Sequence, residues 1–599
     1  MFSKKLTVGL AAGIVALGAA TSAQAATITV NDPGNSGSGT LRDAINSANN
    51  LPNADVIEFR MGAGVHTIRP TTELPAITEP VTLDGYAGGA TPATPNSPAE
   101  LKVTIDAVNV DNGLTIESDG VTVQGLNIQH ARREGVHVEG NGNTVTGNYI
   151  GTDVGGLTAE GNDLEGVRVF GDDNRIGGPN PEDRNVLAAS GFAEILVGEG
   201  TGNTVQNNHV GTNRTGTIAL GDHTGVDLES SGNTVRDNLI SGESSGVQIS
   251  SDDNVVQGNK VGTNASGNAA LPNTVGIEIF GGDRNVIGGP ADEEGNVLSG
   301  NEHSGVQLSA LGVDPATHND VVGNLIGTTA AGNAKLPNGG GSGGLGTRAG
   351  VAISESDNNT IGGTTAGAGN VISANTGAGI DLADATGNKI LGNSIGTDET
   401  GALDLGNKRA GVNIDGDNNR VGDTDASAAN TIAHNDEDGV TVESGTGNAV
   451  LGDSIHDNRG LAIDLAPDGS TANDDAQHDA DTGANNLQNG PKIDSATATD
   501  ITWTLESEPK TKYRLEFYAN DTCSGASVTE AQTYLRSLVV TTDANGHRDL
   551  TTPITLPTGA GSHLSMTATK LERVLTGINP ATFTLEPRST SEVSPCERI

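Results

Sequence analysis

The feature that most constrains this chain is a unit that repeats along its middle. Each copy opens with glycine and then alternates apolar, variable, apolar. The copies run Gly135-Val-His-Val, Gly166-Val-Arg-Val, Gly225-Val-Asp-Leu, Gly246-Val-Gln-Ile and Gly276-Ile-Glu-Ile, then continue from Gly305, Gly350, Gly379, Gly411 and Gly439. Glu194-Ile-Leu-Val is a degenerate copy. A second and a third short apolar stretch follow in each unit, as in Asn143-Thr-Val and Asn148-Tyr-Ile. Alternation with period two marks strands with one buried face. The closest copies, Gly225 and Gly246, are 21 residues apart, and three strands within that length are too short for a meander. They are the sides of a coil. Longer units carry insertions at two recurring corners, after the second strand (177–184) or after the third (around 150–153), as stacked coils do. The predicted fold is all-β, a right-handed parallel β-helix of about a dozen coils in which each coil touches its neighbours.

This architecture accounts for the composition. A narrow interior takes small branched side chains, and aromatic residues make up only 2% of the chain while glycine occurs 86 times. Asparagine recurs at the corners, at 143, 148, 203, 208, 233, 238, 254 and 259. Asparagine tolerates the left-handed conformation that sharp corners need, and stacked amides can hydrogen-bond from coil to coil.

The ends divide the rest of the chain. Lys4 and Lys5, the apolar run Leu6–Ala20 and Ala23-Gln24-Ala25 form a signal peptide over 1–25. No other stretch approaches the ~18 apolar residues of a membrane span. The expected location is secreted, extracellular or at the cell surface. Residues 26–100 hold a cap and the first coils, with a helix over 41–50 and strands at 56–59 and 81–83. The repeats fill 101–465, and 466–494 is an acidic linker. Residues 495–599 read as a small antiparallel, sandwich-like β-domain that carries Trp503, Tyr513, Phe517, Tyr518, Tyr534 and Phe583. Cys523 and Cys596 are the chain's two cysteines, and in an oxidising compartment they are expected to form a disulfide. The formal charge of −43 argues against a nucleic-acid partner, because phosphate binding runs on clustered Lys and Arg.

Several segments resemble the secreted right-handed parallel β-helix repeat proteins of bacteria. They are Gly39-Thr40-Leu41-Arg42-Asp43-Ala44, 74–86, 142–153, 479–489 and the stretch from Tyr513 to Cys523. The first is a degenerate form of that family's CSLREA-type motif, with its cysteine missing. The family's closing cysteine matches Cys596. The resemblance implies the fold and export, and it implies no activity.

Chemistry is best sought on the outward residue of the first strand of each coil: His137, Arg168, Leu196, Asp227, Gln248, Glu278, Gln307, Ala352, Asp381, Asn413 and Thr441. Asp227 and Glu278 are two coils apart, roughly 9.6 Å at the ordinary strand spacing. That is the upper edge of the ~6.5–9.5 Å separation of an inverting pair of carboxylates. Asp227, Glu278, Arg168 and His137 are the catalytic candidates, set against a merely solvated polar column. Gly312–His318 resembles the Asp-Pro-His-Asp of alginate epimerases, but two residues separate Pro315 from His318. Asp474, Asp475, Asp479 and Asp481 offer the oxygen ligands of a calcium loop. No aromatic residue lies between Phe280 and Trp503, which excludes a long sugar-stacking cleft there. The expected function is that of an exported, non-catalytic, monomeric protein presenting a repetitive surface to a glycan or cell-envelope partner. The alternative is a polysaccharide lyase, glycoside hydrolase or uronate epimerase acting on acidic glycans.

Replacing Val226 with Asp should cost several kcal/mol, on the order expected for a buried charge without a partner. Urea unfolding measures this, with circular dichroism of the wild type expected to be almost free of helix.

Overall fold

In a computed structural model, the structure describes residues 25–599 other than 52, 311, 313, 342–347, 475–478, 480, 523–528 and 579–580. The expected signal peptide, except for its last residue, lies outside the described residues. So do Asp475 and Cys523, and with Cys523 one half of the expected disulfide.

The chain winds into a right-handed parallel β-helix with three faces. Sheet 1 has 15 strands, from Thr27–Val30 to Ala449–Leu451; sheet 2 has 14, from His66–Ile68 to Ser454–His456; sheet 3 has 13, from Leu114–Ile116 to Ile463–Leu465. One turn shows the construction. Val136–Val138 lies in sheet 3, Thr144–Thr146 in sheet 1 and Tyr149–Ile150 in sheet 2, and the chain re-enters sheet 3 at Glu165–Val169. Val136, Val138, Val145 and Ile150 all point into the interior and are fully buried. Each apolar side chain sits above its counterpart in the previous coil, Val167 on Val136 and Val169 on Val138. The interior is thus a set of aliphatic stacks, each side chain worth roughly 1.5–3 kcal/mol of burial.

Close stacking explains the opening glycine. A Cβ on Gly225 would lie 2.5 Å from the Gly246 carbonyl oxygen and 2.7 Å from Cγ2 of Ile240. Neither atom can retreat, because both belong to the stack. The degenerate unit places Glu194 at this position, opposite Gly166, since Ile195 pairs with Val167.

The corner asparagines form continuous ladders. At the corner between sheets 3 and 1, the Asn143 backbone N–H donates to Oδ1 of Asn174 at 2.8 Å. The Asn174 N–H donates to Asn203, and the Asn203 N–H to Asn233. The same step repeats through Asn254, Asn285, Asn319, Asn359, Asn388, Asn419 and Asn448. A second ladder at the corner between sheets 1 and 2 begins Asn148, Asn185, Asn208, Asn238 and Asn259 and closes at Asn430 and Asp453. The left-handed conformation expected of these asparagines falls instead on the preceding residue throughout the first ladder and at several rungs of the second, while Arg184 and Ala429, before Asn185 and Asn430, keep negative φ. Gly142, Asp173, Asp253, Arg284 and Asn418 have positive φ, as do Gly147 and Asp237 in the second ladder. The reason is geometric: the corner is turned by the preceding residue, which frees the next side chain to point inward and satisfy the backbone of the adjacent coil. His318 of the 312–318 segment, with φ 57°, is one of these corner residues, preceding Asn319.

A third ladder, between sheets 2 and 3, runs through Asn273, Asn301, Asn338, Asn375, Asn407, Asn435 and Asn458, with Asn162 at its far end. Two buried glutamates interrupt it. Glu194 accepts the Ser190 N–H and hydroxyl, and Glu243 accepts the His223 N–H. Burial pushes both carboxyls well up, and their mutual repulsion adds to the shift of Glu243.

Both ends of the solenoid are covered. The helix Leu41–Ala48, N-capped by Thr40, buries Leu41, Ala44, Ile45 and Ala48 against the first coil. At the other end, two antiparallel sheets (Lys492–Ala496, Asp500–Glu506 and His547–Pro553; Lys512–Asn520, Thr533–Thr541, His563–Ile578, Ala581–Thr590 and Glu597–Arg598) pack around Trp503, Tyr513 and Phe517. Tyr534 and Phe583 stay 38% and 49% exposed. This domain docks on the last coil: Ile455 and Ala531 exchange two backbone hydrogen bonds of 2.9 Å, and Tyr518 joins the solenoid core. Residues 484–487, inside the span read as a linker, extend the first ladder, because the Asn448 N–H donates to Oδ1 of Asn485 at 2.9 Å.

Gly225→Ala should destabilise the solenoid by about 1–3 kcal/mol, as overpacking does. Asn254→Ala strands the Asn233 N–H and should cost a similar ~1–3 kcal/mol. Both are read from urea midpoints, with Arg236→Ala, an exposed side chain on a nearby strand, as the milder control.

Candidate functional site

The outer face of sheet 3 carries one column of side chains. The register pairs Thr115 with His137, then Arg168, Leu196, Asp227, Gln248, Glu278 and Gln307, and continues through Ala352, Asp381, Asn413 and Thr441 to Asp464. Parallel pairing in strict register puts the same repeat position on every strand, so the column follows from the sequence period.

At the N-terminal end of this face, His137 and Arg168 are neighbours. Arg168 Nη1 lies 3.4 Å from Glu134 Oε1 and 3.7 Å from Glu165 Oε1, and its guanidinium stacks 4.7 Å from the Phe170 ring centre. His137 packs on the same ring and lies 3.2 Å from Glu139 Oε1. Glu134 and Glu165 were not singled out from sequence. Their signal is positional: each is the residue before an opening glycine. Burial raises the Glu165 carboxyl against the pull of Arg168, and Glu134 adds repulsion.

Asp227 stands two strands beyond Arg168. It is only 1% exposed, and its Oδ1 has no hydrogen-bond partner among the described residues. Burial, reinforced by Glu229 and Glu165, pushes its carboxyl up to about 7. Glu278 lies two strands further on. Its carboxylate accepts the Ser245 hydroxyl at 2.8 Å and the Gln307 amide at 3.4 Å, and burial raises it. One strand, with Gln248, separates the two carboxyls.

At the C-terminal end the face deepens into a groove of about 980 Å³. Asp381, Asn413, Thr441 and Asp464 of the column line it, with Arg348, Arg409 and Arg459 and the acids Asp436, Glu437, Asp438, Glu443 and Asp468. Arg459 lies 3.3 Å from Asp436, and Arg409 lies 3.6 Å from Glu437. The Asn413 amide donates to Asp381 Oδ1 at 3.0 Å. The result is a polar, aromatic-free trough with hydrogen-bonding groups repeated at strand spacing.

The expected calcium ligands are arranged differently from one another. Asp479 is buried, and its Oδ2 accepts the Gln488 amide at 3.0 Å, the Asn489 N–H at 3.3 Å and the Ser507 hydroxyl. Asp474 accepts the Asn489 amide at 3.0 Å, and Asp481 is partly exposed. Among the described residues, the acids that converge are others: Asp438, Asp464 and Asp468 each place an oxygen within 4.8 Å of the other two.

Residues 99–285, under a third of the chain, match the family described as periplasmic copper-binding protein (NosD). No curated protein matches. The chain is similar to the Dettilon tailspike protein gp208, at 13% identity over 89% of this chain and 74% of that one, with a TM-score of 0.36. It is similar to the A-module of the Azotobacter vinelandii mannuronan C-5 epimerase AlgE6, at 13% identity over 72% and 92% of the chains, with a TM-score of 0.32. It is also similar to the pectate lyase Pel9A, at 13% identity over 61% and 77%, with a TM-score of 0.22.

Asp227 generates a pH prediction. Its folded pKa of about 7 exceeds the ordinary 3.8, so the folded chain holds this proton more tightly than the unfolded one. That stabilisation is complete below the ordinary value and is lost as pH rises through the folded one. Asp227→Asn should therefore lose less stability than wild type between those two pH values. Parallel pH profiles of the urea midpoint would contradict the assignment.

Proposed function

We propose that this is an exported protein that binds a glycan or cell-envelope polymer along the outer face of sheet 3 without cleaving it. The observation that carries the reading is the groove at the C-terminal end of that face. It is open, about 980 Å³ in volume, and lined by hydrogen-bonding side chains in successive coils. Repeated carboxylates, amides and hydroxyls at strand spacing suit a polymer with repeated hydroxyls. With seven carboxylates against three guanidiniums in its lining, the groove favours neutral or cation-bridged sugars over free polyanions.

One observation favours the enzymatic alternative. A carboxyl held at about 7 in a buried position, as Asp227 is, suits general acid–base chemistry at neutral pH. Glu278, across one strand, would be its partner in a lyase, hydrolase or epimerase. Copper, which the name of the matching family carries, has little to bind here. Residues 99–285 contain no Cys and no Met, and soft or imidazole ligands are what copper selects. Of their four histidines, His130 is held between Asp106 at 3.0 Å and Glu160 at 2.8 Å, His137 lies 3.2 Å from Glu139, His223 lies 2.5 Å from Asp222, and His209 is buried.

The test is a binding and turnover screen of the purified mature protein against chitin, polygalacturonate, alginate and peptidoglycan. Retardation in affinity gels should appear without unsaturated product at 235 nm or new reducing ends, and Asn413→Ala with Thr441→Ala should weaken it about tenfold, roughly 1.4 kcal/mol. Turnover that disappears in Asp227→Asn or Glu278→Gln would establish the enzymatic reading instead.

A further inference from the structure

We propose that Asp438, Asp464 and Asp468 form a binding site for a hard divalent cation of the calcium class, where the last coil of sheet 3 meets the chain leaving the solenoid. Three independent features of the site support it.

The first is convergence. Asp438 precedes the opening glycine of its unit, Asp464 is the outward residue of the final strand of sheet 3, and Asp468 lies just beyond it. One oxygen from each lies within 4.8 Å of the other two. Calcium–oxygen distances of about 2.3–2.6 Å place ligands on opposite sides of the ion roughly 4.6–5.2 Å apart, so a single ion can reach all three.

The second is that the charge lacks compensation. Asp464 is 1% exposed and its Oδ1 has no hydrogen-bond partner among the described residues. Other acids of the groove are engaged by cations: Asp436 by Lys408 at 2.8 Å and Arg459 at 3.3 Å, and Glu437 by Arg409 at 3.6 Å. No Lys, Arg or His among the described residues pairs with Asp438, Asp464 or Asp468. Three like charges brought together around a buried oxygen are costly, and a proton or a bound cation relieves them.

The third is that the ligands are held in place. Asp438 Oδ1 accepts the Leu461 N–H at 2.6 Å. Asp464 is fixed by its strand, with Thr441 as its register partner. The segment carrying Asp468 is pinned at both ends by Glu592 of the C-terminal domain, which accepts the Leu465 N–H at 3.4 Å and the Thr471 N–H at 3.0 Å. The Thr471 hydroxyl returns to the Leu465 carbonyl at 3.3 Å. A bound ion would therefore fasten the solenoid's last two coils to the segment that leads into the C-terminal domain. Asp468 is exposed, so the remaining coordination positions face the groove, open to water or to a ligand oxygen. The site stands whether or not the groove takes a glycan.

The experiment uses the full mature chain, stripped with chelator and titrated with calcium chloride by calorimetry, with thermal unfolding followed in parallel. Wild type should bind calcium and melt at higher temperature with it. Asp464→Asn, which preserves shape, and Asp468→Asn, which alters an exposed side chain outside the core, should each weaken binding at least tenfold. Circular dichroism without calcium should match wild type for Asp468→Asn. Absence of calcium binding by wild type overturns the proposal, and so does wild-type affinity in either variant, which would place the ion elsewhere, for instance at 474–481. Glycan retardation is measured separately with and without calcium, so failure of the cation site and failure of the groove reading give different results.

Discussion

The coil-to-coil contact is the interaction on which the rest of this protein depends. Strands pair at about 4.8 Å, and at that spacing every backbone group and side chain of one coil must fit the next. The glycine at the head of each unit exists because a methyl group there would strike the neighbouring carbonyl, as at Gly225. The asparagine ladders exist because a corner leaves backbone N–H groups without strand partners, and an unpaired buried N–H costs about as much as a lost hydrogen bond. One amide per corner accepts the N–H of the coil before it and presents its own N–H to the coil after it. Stability is accordingly a sum over neighbours, and a defect in one coil is felt by two.

That logic gives meaning to the exceptions. Glu243 replaces an amide in the third ladder, Glu194 fills the head-glycine position of its coil, and Asp453 ends the second ladder, where burial pushes its carboxyl up to about 8. A carboxyl in an amide's place serves well when protonated, because it then carries both a donor and acceptors. Ionised, it is a buried charge. The acid residues at ladder positions therefore work in the opposite sense to the surface acids that dominate the chain's charge, since they favour the folded state at lower pH.

The outer face of sheet 3 inherits its order from the same stacking. Because the register is strict, chemistry placed on it appears as a column, and differences along the column are differences of repeat sequence alone. The N-terminal end combines Arg168, His137 and Phe170 with buried glutamates, and the C-terminal end is a trough of acids and guanidiniums. The C-terminal domain contributes to the second end through Glu592, which anchors the segment bearing Asp468, while the Ala531 backbone pairs with that of Ile455 on sheet 2.

The sequence by itself determined the coil, the inward and outward residues of each strand, the glycine at its head and the corner asparagines, because all of these are local consequences of one period. His137, Arg168, Asp227 and Glu278 were legible as members of one column for the same reason. The burial of Asp227, the clustering of Glu134 and Glu165 around Arg168, and the fact that the left-handed residue precedes the asparagine were decided by the packing of one coil on another. The convergence of Asp438, Asp464 and Asp468 needed more. Asp438 belongs to one coil, Asp464 to the next and Asp468 to a segment outside the repeat, held by a residue more than a hundred positions further on. A periodic pattern carries no information about where the chain goes once the period ends, so only the tertiary structure could bring them together.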